Sequence, residues 1–157
     1  MIGRWLATAG LAAMLTSGCG FGSSAEFKLI NASVQPNYVC PGTTIDSKYG
    51  IDASINTRND TSAPVLIKSV SAVMTLAAVH GGWLQPVGYK YDAGRVGAEM
   101  GQVPAGSTST ILVTIPSACR SKSAGVLSYA DYSVTLTVVT SAGTFKIDTG
   151  NRHRIIA

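Results

Sequence analysis

From Asp131 to Thr140 the side chains alternate: Tyr132, Val134, Leu136 and Val138 fall on one side, Ser133, Thr135, Thr137 and Val139 on the other. A period of two marks a strand that buries one face. The same rhythm runs from Lys48 to Thr57, where Tyr49, Ile51, Ala53 and Ile55 oppose Gly50, Asp52, Ser54 and Asn56. No segment keeps a helical period for more than two turns. Such a chain must fold by pairing strands and burying their apolar faces against each other.

Turn signals divide the rest into further strands. Glu26 to Val34 is the first, and Asn37 to Ser47, with Pro41-Gly42, reads as a loop. Val65 to Ala78 is a long β-branched run, read as one bent strand or two, broken at His80-Gly81-Gly82. A short strand is expected around Val87 to Tyr91, inside an irregular stretch from Trp83 to Gly101. Thr108 to Ile115 is a strand, and Pro116 to Ser128 reads as a loop. Thr144 to Thr149 returns as a hairpin partner after Ser141-Ala142-Gly143, and His153 to Ala157 adds an edge pairing. Seven or so strands at this spacing predict a two-sheet antiparallel sandwich. The 157 residues suffice for one domain. Charged residues are 13% and hydrophobic residues 46%, which excludes a coiled coil and a disordered linker. No apolar run is long enough for a membrane-spanning helix.

The first residues differ from all that follow. Arg4 precedes an apolar stretch from Trp5 to Leu15, and Thr16-Ser17-Gly18 leads to Cys19. A basic start, a short apolar run and a small-residue cleavage region make a secretory signal peptide. Leu15-Thr16-Ser17-Gly18-Cys19 resembles the lipobox of bacterial lipoproteins. That resemblance implies a signal peptide over 1–18, cut before Cys19, with lipid on the Cys19 thiol. Residues 19–26 then form a short tether, and the domain occupies 27–157. It also implies an exported protein held by its lipid at the bacterial cell membrane or outer membrane. Gly20 follows the cysteine where the family's inner-membrane members carry Asp. With Cys19 assigned to lipid, two of the three cysteines remain, and an oxidising compartment would let Cys40 pair with Cys119.

The run Ile51-Asp52-Ala53-Ser54-Ile55-Asn56-Thr57-Arg58-Asn59-Asp60-Thr61-Ser62, followed by Val65-Leu66-Ile67, resembles bacterial immunoglobulin-like or fibronectin-type-III-like modules. Val103-Pro104-Ala105-Gly106-Ser107-Thr108 and Tyr132-Ser133-Val134-Thr135-Leu136 add to the likeness. It implies an all-β, Ig-like two-sheet β-sandwich. It further implies that Tyr132 serves as a corner tyrosine, bonding back to the preceding loop. In Ig order the two remaining cysteines fall in loops at the same pole.

Chemistry is sparse. His80 and His153 are the only histidines, and no Gly-x-Ser-x-Gly, His-x-x-x-His or Cys-x-x-Cys motif occurs. His153, between Arg152 and Arg154, reads as part of a solvated charged end. Asp46, Asp52 and Asp60 flank one strand but lack the alternating spacing of a calcium loop, so they read as turn residues. No metal, cofactor or catalytic residue is expected, and the chain reads as a non-enzyme. Trp83, Tyr89 and Tyr91, with His80 beside them, are the candidate binding residues, because they sit in the longest irregular segment. Their bland alternative is that the rings cover an open edge of the core. Net charge is +4, or +3 once Arg4 leaves with the signal peptide, and the basic residues are dispersed. Nucleic acid is therefore not an expected partner. The reading is a non-catalytic envelope module that binds another protein or an envelope component. The alternatives are a carbohydrate or cell-wall binder using the loop aromatics, and an enzyme whose site the sequence does not display.

Overall fold

Ile51 and Ile55 from one sheet meet Leu76, Val134, Leu136 and Val138 from the other, and none of the six retains solvent exposure. These are the inward members of the alternating segments, so the period of two has become the sandwich interior. The computed structural model describes residues 25–41, 47–99, 101–119 and 128–157. The signal segment 1–18, Cys19, the tether through Ser24, and Asp46 lie outside them.

Among the described residues there are eleven strands. They are β1 (Phe27–Val34), β2 (Asn37–Val39), β3 (Ser47–Asn59), β4 (Val65–His80), β5 (Lys90–Arg95), β6 (Gly97–Ala98), β7 (Gln102–Val103), β8 (Ser107–Cys119), β9 (Tyr129–Thr140), β10 (Gly143–Asp148) and β11 (His153–Ile156). One sheet has the order β1-β3-β8-β6. The other runs β2-β11-β9-β4-β5, with β10 also on β9 and the short β7 on β4. Lettered in chain order this is A-B-E-D against C′-C-F-G, the immunoglobulin arrangement. The last letter is shared, because β10 pairs with the end of β9 and β11 with its start. The fold is therefore the all-β, Ig-like two-sheet sandwich. Among the described residues no helix is long and apolar enough to cross a membrane.

Several local expectations change. Asn37–Val39, expected as loop, pairs in parallel with β11 and extends the second sheet. The long β-branched run is one strand that absorbs two register shifts, at Ile67/Ser69 and Leu76/Ala78. β8 does not stop at Pro116. That proline lies opposite Gly50, and its carbonyl points away from β3, toward Tyr91. Its missing N–H therefore faces the side with no ladder bond to make. The strand expected at Val87–Tyr91 begins later, at Lys90, because Gly88 adopts φ 91° and Tyr89 closes a turn onto the Pro86 carbonyl.

The sandwich has two distinct poles. The chain enters β1 beside the β3–β4 turn, where the Asp60 N–H donates to the Glu26 carbonyl at 2.9 Å. At the other pole Cys40 and Cys119 form a disulfide between residues 79 apart in sequence. Cys119 ends β8, and Cys40 follows β2, its N–H bonded to the Ile156 carbonyl. The bridge thus ties an edge of the second sheet to the end of a central strand of the first.

Candidate functional site

The β4–β5 segment folds back at the disulfide pole. Gly88 N–H donates to the Leu76 carbonyl at 2.8 Å, and Leu76 N–H donates to the Tyr89 carbonyl at 2.9 Å. These bonds fix Tyr89 and Tyr91 beside the gap between β5 and β8. The Tyr91 hydroxyl spans that gap and donates to the Pro116 carbonyl at 3.2 Å.

Under this bridge is a cleft of about 270 Å³. Its walls are Tyr89 and Tyr91 from the loop and β5, Met74 from β4, and Tyr132 from β9. Ser117 and Ala118 of β8, Ile155 of β11 and the Gln85 amide complete it. No ionisable acid, lysine, arginine or histidine is in the lining. The walls combine apolar surface with neutral hydrogen-bonding groups, as small-molecule sites commonly do.

Two of the four candidate residues, Tyr89 and Tyr91, line this cleft; Trp83 reaches only its Tyr132 wall, and His80 lies elsewhere. Tyr89 is 46% exposed and Tyr91 37% exposed, on the rim. Trp83 is half-buried and packs against the core behind them. Its indole N–H is shut away from solvent without a hydrogen bond. The polar group it faces is the hydroxyl of Tyr132, which also neighbours Tyr89. Burial pushes the Tyr132 phenol up from its ordinary pKa, with the indole acting in the opposite direction. Tyr132 is thus committed to the β4–β5 loop, in place of the corner role expected for it. His80 is outside the cleft lining. It ends β4 and stacks on Tyr129, with ring centroids 4.9 Å apart. Arg154, held by Asp131 at 2.7 and 2.9 Å, lies over the same Tyr129 ring.

The expectation for His153 is overturned. It is fully buried, on the inward side of β11 with Ile155. Nδ1 donates to the Gln35 carbonyl at 2.6 Å, and Nε2 accepts from the Tyr49 hydroxyl at 3.2 Å. Burial pushes the imidazole down from its ordinary pKa, against the opposing pull of the Gln35 carbonyl. Burial likewise drives the Tyr49 phenol up to about 12, although Ser117 supports its ionised form. Tyr49 stacks flat on Tyr38 at 3.8 Å. A neutral hydrogen-bonded chain therefore runs from Gln35 through His153 to Tyr49, whose hydroxyl neighbours Ser117 of the cleft wall. Asp60 pairs with Lys28 and Arg58 near the start of β1, remote from this pole. Among the described residues no three acids, histidines or cysteines stand close enough together to hold a metal ion.

No protein-family model and no curated protein sequence matches this chain. Three solved structures are similar at low identity. Northeast Structural Genomics Consortium target SoR45 is 14% identical, with 83% of this chain and 81% of that one covered at a TM-score of 0.39. AggA, the major subunit of aggregative adherence fimbriae type I from Escherichia coli, is 10% identical, with 83% and 94% covered at 0.37. The PapD-like domain 7 of human CEP192 is 10% identical, with 98% and 95% covered at 0.30. The fold assignment here rests on the chain's own strand pairing.

Proposed function

We propose that the chain is an exported, lipid-anchored, non-catalytic module of the bacterial envelope that binds its partner at the disulfide pole. The observation that carries this is where the apolar surface lies. Val79, Leu84, Val87, Tyr89 and Tyr91 are large, exposed and gathered in one short stretch of chain, the one that supplies Tyr89 and Tyr91 to the cleft. A concentration of exposed apolar side chains beside a cleft marks a contact surface.

The strand register adds an orientation. Phe27 pairs with Asn59 at one end of β3, and Ser117 of the cleft pairs with Tyr49 ten residues away. At ~3.3 Å per residue the cleft lies roughly 30 Å from where the chain enters the domain. With lipid on Cys19 and a tether of a few residues, the domain would stand on the membrane with its cleft facing outward. The disulfide fits an extracytoplasmic address, since such bonds persist in oxidising compartments. A glycan-binding role would use the same cleft. Trp83 would then support the site from behind, as its half-buried position dictates.

The test has two parts. Metabolic labelling with a fatty acid should mark the full-length protein, and Cys19→Ser should abolish the label and release the protein from membranes. In-cell cross-linking followed by recovery from the membrane fraction should yield a bound protein or envelope polymer. Tyr89→Ala with Tyr91→Ala should weaken that recovery at least several-fold. Equal recovery by the double variant would remove the cleft pole from the contact surface.

A further inference from the structure

The cleft contains more hydrogen-bonding capacity than the protein uses. Tyr91 is committed to Pro116 and Ser117 faces Tyr49, while the Gln85 amide has no hydrogen-bond partner among the described residues and the Tyr132 hydroxyl has only the Trp83 indole beside it. Behind Tyr132 the Trp83 N–H is a buried donor that faces the phenol oxygen but stands outside good hydrogen-bond geometry with it. A buried donor in this state is destabilising. Structures rarely leave one without a reason.

The lining decides which occupant would relieve this. A charged ligand would find no opposite charge in the walls. A wholly apolar ligand would strip water from Tyr132, Tyr89 and Gln85 and return no hydrogen bond. A ligand with hydroxyls on its edge and C–H groups on its faces satisfies both kinds of wall. The cleft volume, about 270 Å³, lies just below the ~300 Å³ at which pockets for drug-sized ligands begin, so it admits a single ring.

We propose that this cleft binds one uncharged sugar ring, with a C–H face against Tyr89 and Tyr91 and hydroxyls directed at Tyr132 and Gln85. The inference rests on the reading of the chain as an envelope-binding module and names its ligand class. A ligand oxygen that accepts the Tyr132 proton turns the phenol lone pair toward the Trp83 N–H. Binding would then complete the missing bond, so the indole reports occupancy.

The experiment follows the Nε1–H resonance of Trp83 in the isotopically labelled, detergent-solubilised full chain. The probes are glucose, galactose, N-acetylglucosamine and their methyl glycosides. The expected result is a saturable shift with at least one probe, at a Kd of about 1 mM or tighter. Tyr89→Ala with Tyr91→Ala should weaken it at least tenfold. Tyr132→Phe should abolish the indole shift while the thermal melt stays cooperative. No shift with any probe, or a shift unchanged in the double variant, overturns the proposal. Recovery of one dominant protein partner, lost in the double variant and without a sugar response, overturns the sugar and leaves the binding-module reading standing. Neither a sugar response nor any partner overturns both.

Discussion

The Tyr49 hydroxyl lies 3.2 Å from Nε2 of His153, deep in the sandwich. Because Nδ1 must donate to the Gln35 carbonyl, the neutral imidazole has only Nε2 left to accept the Tyr49 proton. Protonation would put a second donor against that phenol and a charge into the core. The folded-state pKa is therefore below the unfolded value of ~6.5. Stability from this site is complete above that value and declines as pH falls from it toward the folded pKa. Urea midpoints measured from pH 8 to pH 5 should drop below about pH 6.5, by at most ~1.4 kcal/mol per pH unit. His153→Gln should lower the plateau and flatten the slope. Asp60 and Asp131, held below the usual carboxylate range by hydrogen bonds from Arg58 and Arg154, act at lower pH and leave this window clean. An unchanged slope in the variant would assign the pH response elsewhere.

Tyr49→Phe separates the hydrogen bond from the ring. The variant keeps the stack on Tyr38 and removes the only donor facing Nε2 among the described residues. The expected loss is about 1–3 kcal/mol, read from the denaturant midpoint at pH 7.5. Because an unpaired Nε2 is easier to protonate, the pH slope should shift toward neutrality. A loss with no change in the slope would show that Tyr49 matters for packing alone.

Cys40–Cys119 closes a separation of 79 residues and ties the second sheet to β8. Cys40→Ser with Cys119→Ser should cost about 2–5 kcal/mol. Since Ser117 and Ala118 precede Cys119 directly, the cleft should loosen before the other pole does. Hydrogen exchange should rise first at β8 beyond Ile115 and at β2, with Asn59 and its neighbours still protected. Uniform acceleration along both poles would contradict this.

The parts of the fold visible in the sequence are those where one strand buries one face. β3 and β9 are such strands, and Ile51, Ala53, Val134 and Leu136 show it directly. Pro116 misled because a proline marks a strand end only when its side of the backbone has a ladder partner. His153 misled because two arginines flank it, although it shares parity with Ile155, and that parity was the signal for an inward side chain. Tyr89 and Tyr91 stood out by composition. Met74, Tyr132 and Ile155 come from three other strands, and only the sheet order brings them to the same cleft. The separation of His80 from that cleft likewise follows from its pairing with Tyr129, which no local pattern encodes.

Asn59 closes the opposite pole. It is fully buried, and its amide nitrogen faces the carbonyls of Ala63 at 2.9 Å, Val103 at 3.0 Å and Pro104 at 3.2 Å. Its Oδ1 accepts from the Thr61 N–H at 3.0 Å and from the Thr61 hydroxyl at 2.6 Å. One side chain thus joins the β3–β4 turn to the approach to β8, which explains why Asn59 and the Val103-Pro104 pair both stand out in the sequence. Asn59→Ala should cost about 2–4 kcal/mol, since several buried groups lose partners at ~1–3 kcal/mol each. Asn59→Asp should cost more at neutral pH, because a carboxylate would face three carbonyl oxygens. Its deficit should shrink as pH falls and the protonated acid regains one donor. Thermal melts of both variants from pH 4 to pH 7 check this. Because the cleft lies roughly 30 Å away along β3, the partner recovery of the folded fraction should not change. A recovery that fell with Asn59→Ala at matched folded protein would show that the two poles are coupled.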